Sequence, residues 1–249
     1  MPRARRGLRA VKPLQRVNDS VLGGWERPAL AWLAARVPAA VVPDHLTGLG
    51  VLGGLLSALG YVLSRWSLSW LWLACLGLAL NWLGDSLDGT LARLRRIERP
   101  RYGFFVDHMS DLFCQTITFL SLGASPLAHF GVACLGLITF LIAFVYTLIT
   151  AQTRDMMRIT YLYFGPTEIR ALLFAGNLLT LAFGVLDLRR WLPRVGALGA
   201  VSIHDVGIML LTVAGITVIG LLAVGDVRAL GGEDPPQARR PEPKPRAPR

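Results

Sequence analysis

Apolar residues fall in six long runs, 46–63, 68–91, 104–122, 127–149, 169–186 and 204–224, separated by short polar connections. Each run approaches the roughly 20 residues that an α-helix needs to cross hydrocarbon. The pattern therefore predicts an all-α, polytopic membrane protein with six transmembrane helices. Ahead of them, residues 18–37 mix Trp25, Leu30, Trp32 and Leu33 with Glu26, Arg27 and Arg36, which is too polar to span. Asn18 or Asp19 is placed to cap a helix there. Such an amphipathic helix lies in the membrane interface or, alternatively, packs as a soluble helix on the cytoplasmic face. The interface is our expectation.

Composition agrees with the pattern. The chain has 249 residues, 53% hydrophobic and only 17% charged, with a mean hydropathy of +0.48. A soluble domain carries about 25% charged residues. The formal charge of +10 fits topology and contact with anionic lipid, so nucleic acid is not an expected partner. With both termini in the cytoplasm, 22 of the 26 basic residues lie inside: eight before Asp44, five between the second and third runs, three around the fourth-to-fifth connection and six in the tail. Arg65, Arg189, Arg190 and Arg194 stay outside. That asymmetry predicts a multi-pass protein with cytoplasmic termini, and we expect it in a bacterial inner membrane. Cys75, Cys114 and Cys134 sit within apolar runs at spacings that suit neither zinc nor a disulfide framework, so they read as packing residues. No secretory signal pattern opens the chain, and the first run is expected to serve as its own insertion signal. The expected organisation is a basic flexible arm (1–17), one membrane domain (18–225) and a disordered Pro/Arg-rich tail (226–249).

The chemistry concentrates in Asn81 to Phe113. Asp85 and Asp88 are three residues apart and Asp107 and Asp111 four apart, so each pair shares a helical face. A hairpin of two antiparallel helices would bring all four together just inside the cytoplasmic boundary. Carboxylates at the edge of a hydrocarbon phase are costly unless something cancels their charge. Hard divalent cations bound through oxygen do so, and four carboxylates can hold two ions. Gly89, Ala92 and Gly103 form small-residue surfaces where a ligand or a neighbouring backbone can approach, and Arg93 offers a guanidinium for phosphate oxygens.

Written as a pattern, the stretch is Asp85-x2-Asp88-Gly89-x2-Ala92-Arg93-x9-Gly103-x3-Asp107-x3-Asp111. It resembles the signature of the CDP-alcohol phosphotransferases (CDP-alcohol phosphatidyltransferases), membrane enzymes of phospholipid synthesis. The resemblance spans residues 18 to 225. It implies two Mg2+ or Mn2+ ions on Asp85, Asp88, Asp107 and Asp111, with Asp111 as general base. It also implies a CDP-linked donor gripped by Arg93 with room left by Gly89, Ala92 and Gly103. A hydroxyl acceptor would attack, CMP would leave, and at least one substrate would be a lipid. A homodimer is implied as well. Upstream, Pro43-Asp44-x2-Thr47 resembles the family's Pro-Asn-x-x-Thr, with Asp44 in place of Asn. Donor binding by Asp44 and Thr47 follows from the resemblance, while Asp44 as a helix N-cap follows equally from residue type.

Two details bear on the substrate. Asp107-His108-x2-Asp111 and Thr167-Glu168, within Tyr163 to Arg170, are similar to motifs of the choline and ethanolamine phosphotransferases, which makes His108, Glu168 and Arg170 candidate acceptor or orienting residues. A phosphorylated acceptor would instead use arginines among Arg95, Arg96, Arg99, Arg101, Arg154, Arg158 and Arg170. Two other functions remain in view. A prenyltransferase could use Asn81-x3-Asp85 and Asp107-x3-Asp111 for a diphosphate. A cation transporter would need acids near the bilayer midplane.

Overall fold

A computed structural model describes residues 15–17, 22–154, 156–158, 165–185 and 201–234. Among them the chain forms seven α-helices: α1 (Gly23–Ala34), α2 (Pro43–Leu63), α3 (Leu71–Arg95), α4 (Pro100–Gly123), α5 (Phe130–Thr153), α6 (Pro166–Phe183) and α7 (Ile203–Glu233). A 3-10 turn at Leu68–Trp70 leads into α3. Two three-residue strands, β1 (Gln15–Val17) and β2 (Met156–Arg158), pair in parallel with Gln15 opposite Met156. The end of the expected basic arm is therefore paired backbone.

Three of these helices start with proline in their first turn: Pro43 in α2, Pro100 in α4 and Pro166 in α6. Proline suits that place because its fixed φ is already helical and its missing N–H would have had no partner. Helix α7 starts differently. Its Ser202 hydroxyl accepts the Asp205 N–H at 3.0 Å, and Asp205 accepts the Ser202 N–H at 2.9 Å. Asp205 also accepts the His129 N–H at 2.7 Å, which ties the starts of α5 and α7 together.

Helices α2, α5 and α7 are long and apolar enough to cross a membrane. The other long helices carry the charges: Asp85, Asp88, Arg93 and Arg95 in α3, Asp107 and Asp111 in α4, Glu168 and Arg170 in α6. Helix α3 packs against α1, α2 and α6, while α5 packs against α4 and α7. Large apolar side chains of α5 and α7, including Ile138, Ile142, Leu210 and Val213, stay exposed.

The tightest seam joins α2 and α3, which run antiparallel. A Cβ at Gly53 would strike the Asn81 backbone, and one at Gly77 would strike the Ser57 backbone. Such close approach lets helix backbones meet without a hydrophobic driving force. Asn81 then donates from Nδ2 to the Gly50 carbonyl at 2.9 Å across the buried seam. One apolar cluster, of Tyr61, Leu71, Ala74, Leu122, Leu127, Ala128 and Ile208, fills the end of the bundle away from the acids. A second, of Leu30, Ala34, Leu46, Leu87 and Leu91, joins α1 to α2 and α3.

Several expected boundaries move. Helix α1 starts at Gly23 after Leu22, not at Asn18 or Asp19, which lie outside the described residues. Its connection to α2 is held by Arg95, which donates to the carbonyls of Val41 at 2.5 Å, Val37 at 2.8 Å and Pro38 at 2.9 Å. Helix α7 continues past 224 to Glu233, so residues 226–233, expected in the disordered tail, are helical. Asp226 explains the extension: it pairs with Arg154 at the end of α5 and accepts the Tyr146 hydroxyl at 2.5 Å. Residues 1–14 and 235–249, Tyr163, Phe164, Arg189, Arg190 and Arg194 lie outside the described residues.

Candidate active site

Helices α3 and α4 both pack on α2 instead of forming the closed hairpin expected from the sequence, and the side chains of their acids meet beside it. Asp85, Asp107 and Asp111 each offer a carboxylate oxygen, and these oxygens lie within 4.8 Å of one another. Arg170 reaches them from α6. Its Nη1 donates to Asp85 Oδ2 at 2.7 Å and its Nη2 to Asp111 Oδ1 at 3.1 Å. The arginine is only 4% exposed, so its charge is spent inside the site. Asp88 stands a little apart. Its Oδ2 accepts the Thr47 hydroxyl at 2.5 Å, and its Oδ1 accepts the Gly89 N–H.

One guanidinium among three grouped carboxylates leaves excess negative charge, and hard oxygen donors at this spacing suit a divalent cation. The residues present therefore fit the Mg2+ or Mn2+ that the sequence pattern implies.

The cluster forms part of the wall of an open cavity of about 1250 Å³, lined by residues of α1, α2, α3, α4 and α6. Asp44, Thr47, Asp88, Gly89, Ala92, Arg93 and Gly103 line it too, as do Glu168 and Arg170. Arg93 lies over Gly89: a Cβ there would come within 3.2 Å of its Nη1. Nothing lies within 4 Å of a Cβ built at Gly103, so that wall is open.

Asp44 is not an N-cap. Val42 occupies that position, and Asp44 sits inside the first turn of α2. Its carboxylate accepts from Arg99 Nη2 at 2.5 and 2.6 Å and from the Tyr102 hydroxyl at 3.3 Å. The Arg99 guanidinium rests 3.8 Å from the Tyr102 ring centroid, and its hydrogen bond to Asp44 raises its pKa. This pair crosses the cavity rim. Sequence had placed Arg99 only among the loop arginines.

Two other candidates make contacts that the sequence did not show. His108 does not line the cavity; it stacks on Phe104 with ring centroids 4.1 Å apart and faces Phe144. Glu168 accepts the Leu22 N–H at 3.1 Å and the Gly165 N–H at 2.8 Å, fastening the starts of α1 and α6. The side chain that sequence reasoning missed is Glu26, which lines the cavity from α1. Its only sequence signal was an acid on an amphipathic helix, which reads as a solvated face.

The sequence family CDP-alcohol phosphatidyltransferase matches residues 40–218, more than two thirds of the chain. The chain belongs to this family. It is thus a membrane protein of a transferase family of phospholipid synthesis. No curated protein sequence matches it. As a CDP-alcohol phosphatidyltransferase family member, it has no further use for the prenyltransferase alternative. Asn81, which that alternative needed at the diphosphate, has its amide on the Gly50 carbonyl instead. The acids lie level with the first turns of α2 and α6, where Thr47 meets Asp88 and Arg170 meets Asp85 and Asp111.

Proposed function

We propose that the protein transfers a substituted phosphate group from a CDP-linked donor, CDP-diacylglycerol or a CDP-alcohol, to a hydroxyl acceptor and releases CMP. The observation that carries this reading is the grouping of Asp85, Asp107 and Asp111 within one cavity whose wall also carries Arg93, in a chain of this family. Asp85, Asp88, Asp107 and Asp111 would hold one or two Mg2+ or Mn2+ ions. Bound there, divalent cations supply positive charge for the donor's diphosphate and for the charge that develops in phosphoryl transfer.

The protein's own groups do the rest. Arg93 chelates phosphate oxygens in a bidentate manner. Gly89 and Gly103 keep the wall low where the nucleotide lies, and Asp44 and Thr47 hold the donor from α2. Arg170 fixes Asp85 and Asp111 and leaves Asp111 Oδ2 to take a proton. The acceptor oxygen bonds to the phosphorus distal to cytidine, the bond from that phosphorus to its bridging oxygen breaks, and CMP departs. The hydroxyl proton passes to Asp111. In this reading six helices, α2 to α7, cross the membrane with termini and site in the cytoplasm, and α1 lies at the interface. The antiparallel course of α2, α3 and α4, with the acids at one end, supports it. The family resemblance adds a homodimer.

The test is CMP formation by the purified protein with Mg2+, using CDP-diacylglycerol, CDP-choline and CDP-ethanolamine against a panel of alcohols and diacylglycerol. Release of CMP from one combination is expected. Ion flux in liposomes with no CMP from any of them would overturn the reading in favour of transport.

A further inference from the structure

Helix α1 carries a charge that the reaction above does not use. Glu26 lines the cavity and is half-buried. Its Oε1 accepts three hydrogen bonds, from Trp82 Nε1 at 2.7 Å and from the Ser86 and Thr167 hydroxyls at 3.1 Å each. Every one of these donors is neutral. Among the described residues no cation pairs with Glu26, and its Oε2 has no hydrogen-bond partner.

A fastener alone needs no charge, because a neutral amide oxygen also accepts hydrogen bonds from such donors. A half-buried carboxylate without a counter-ion is a standing cost that a ligand cation would remove. Three donors hold this one in place, so little further ordering is needed when a ligand arrives.

The distribution of charge around the cavity points the same way. Arg170 is committed to Asp85 and Asp111. The other arginines of the lining, Arg27, Arg93, Arg99 and Arg101, are exposed. Deeper in, between α1, α3 and α6, Glu26 and Asp85 make the wall acidic. A phosphorylated alcohol there would set a second anion beside both carboxylates.

We propose that Glu26 is a specificity residue whose Oε2 holds a positively charged group on the alcohol moiety of the substrate pair. The enzyme then prefers an ammonium-bearing alcohol to a neutral or phosphorylated one. This inference rests on the transfer reaction proposed above. The same chemistry serves whether the ammonium alcohol is the free acceptor or arrives already joined to CDP.

CMP release in two arms tests it. One arm gives CDP-diacylglycerol with choline, ethanolamine, their neutral carbon isosteres or glycerol phosphate. The other gives diacylglycerol with the CDP-linked forms of the same alcohols. The arm that turns over identifies the source of the ammonium group. In that arm kcat/KM should favour the cationic alcohol over its isostere by about 10–100-fold, the value of a charge-assisted contact. Glu26→Gln keeps an oxygen for Trp82, Ser86 and Thr167, and it should bring that ratio close to one, mainly through KM. Glu26→Ala removes the fastening as well, and thermal unfolding of the two variants separates the roles. A preference that survives in Glu26→Gln, or one for the phosphorylated alcohol, overturns the inference. If no arm releases CMP, the transfer reaction falls, and equilibrium binding of radiolabelled choline and ethanolamine decides the Glu26 role separately. Binding lost in Glu26→Gln supports it; absence of binding to the unaltered protein overturns it.

Discussion

Asp107 and Asp111 face the same demand in different company. Arg170 holds Asp111, whereas Asp107 has no arginine partner among the described residues and depends more heavily on a bound cation. Asp107→Asn should lower Mn2+ affinity by more than about 10-fold, because a lost oxygen charge weakens a hard-cation site directly. Mn2+ paramagnetic resonance titration of the detergent-solubilised protein reads this without reference to turnover. Asp111→Asn should reduce CMP release by more than about 100-fold, the size of an electrostatic or proton-transfer loss at the reacting centre, while the protein elutes unchanged in size-exclusion chromatography. Thr47→Val tests the residue on α2. It removes the 2.5 Å bond to Asp88 and leaves that carboxylate without its side-chain donor. Donor KM should rise by roughly 10–100-fold, the worth of one charge-assisted hydrogen bond, and an unaltered KM would detach Thr47 from the donor site.

At the scale of elements, the α2–α3 seam sets where the acids stand, because α3 carries Asp85 and Asp88 and α2 carries Thr47 and Asp44. The seam closes only because Gly53 and Gly77 lack side chains. Gly77→Leu would press a branched side chain into the Ser57 backbone and part the helices. An overpacking cost of about 1–3 kcal/mol corresponds to a fall in Tm of roughly 2–12 °C for a chain of this size. Gly207→Ala is the control, since nothing lies within 4 Å of a Cβ there, and its Tm should not fall. Equal behaviour of the two variants would show that the seam does not govern stability. Helix α1 belongs to the same layer of control. Its Leu30 and Ala34 pack into the cluster with Leu46, Leu87 and Leu91, while Trp25 and Trp32 remain exposed, so one helix serves both as a cavity wall and as an outward apolar face.

For the whole molecule, orientation across the membrane can be measured directly. The connection between α2 and α3 exposes Ser67, and the one between α3 and α4 exposes Glu98 beside the cavity. A thiol reagent that cannot cross membranes should label Ser67→Cys in intact cells and Glu98→Cys only after lysis. The reverse pattern would place the site outside, away from cytoplasmic nucleotides, against the 22-to-4 split of basic residues read from the sequence.

The helical plan could be read from sequence because hydropathy acts over whole runs. The runs at 46–63 and 104–122 fall within α2 and α4, and Asp85, Asp88, Asp107 and Asp111 could be placed on two helical faces by spacing alone. Contacts between distant residues could not be read that way. Only the folded chain brings Arg170 from α6 onto Asp85 and Asp111, closes Arg99 on Asp44, and turns Glu26 from an ordinary acid of an amphipathic helix into a fixed group of the cavity. Periodicity reports which face of a helix is apolar, whereas the partner that a polar side chain meets depends on how three or more helices cross. That crossing is set by close-packed surfaces such as the Gly53 and Gly77 seam, whose fit no single run of sequence contains.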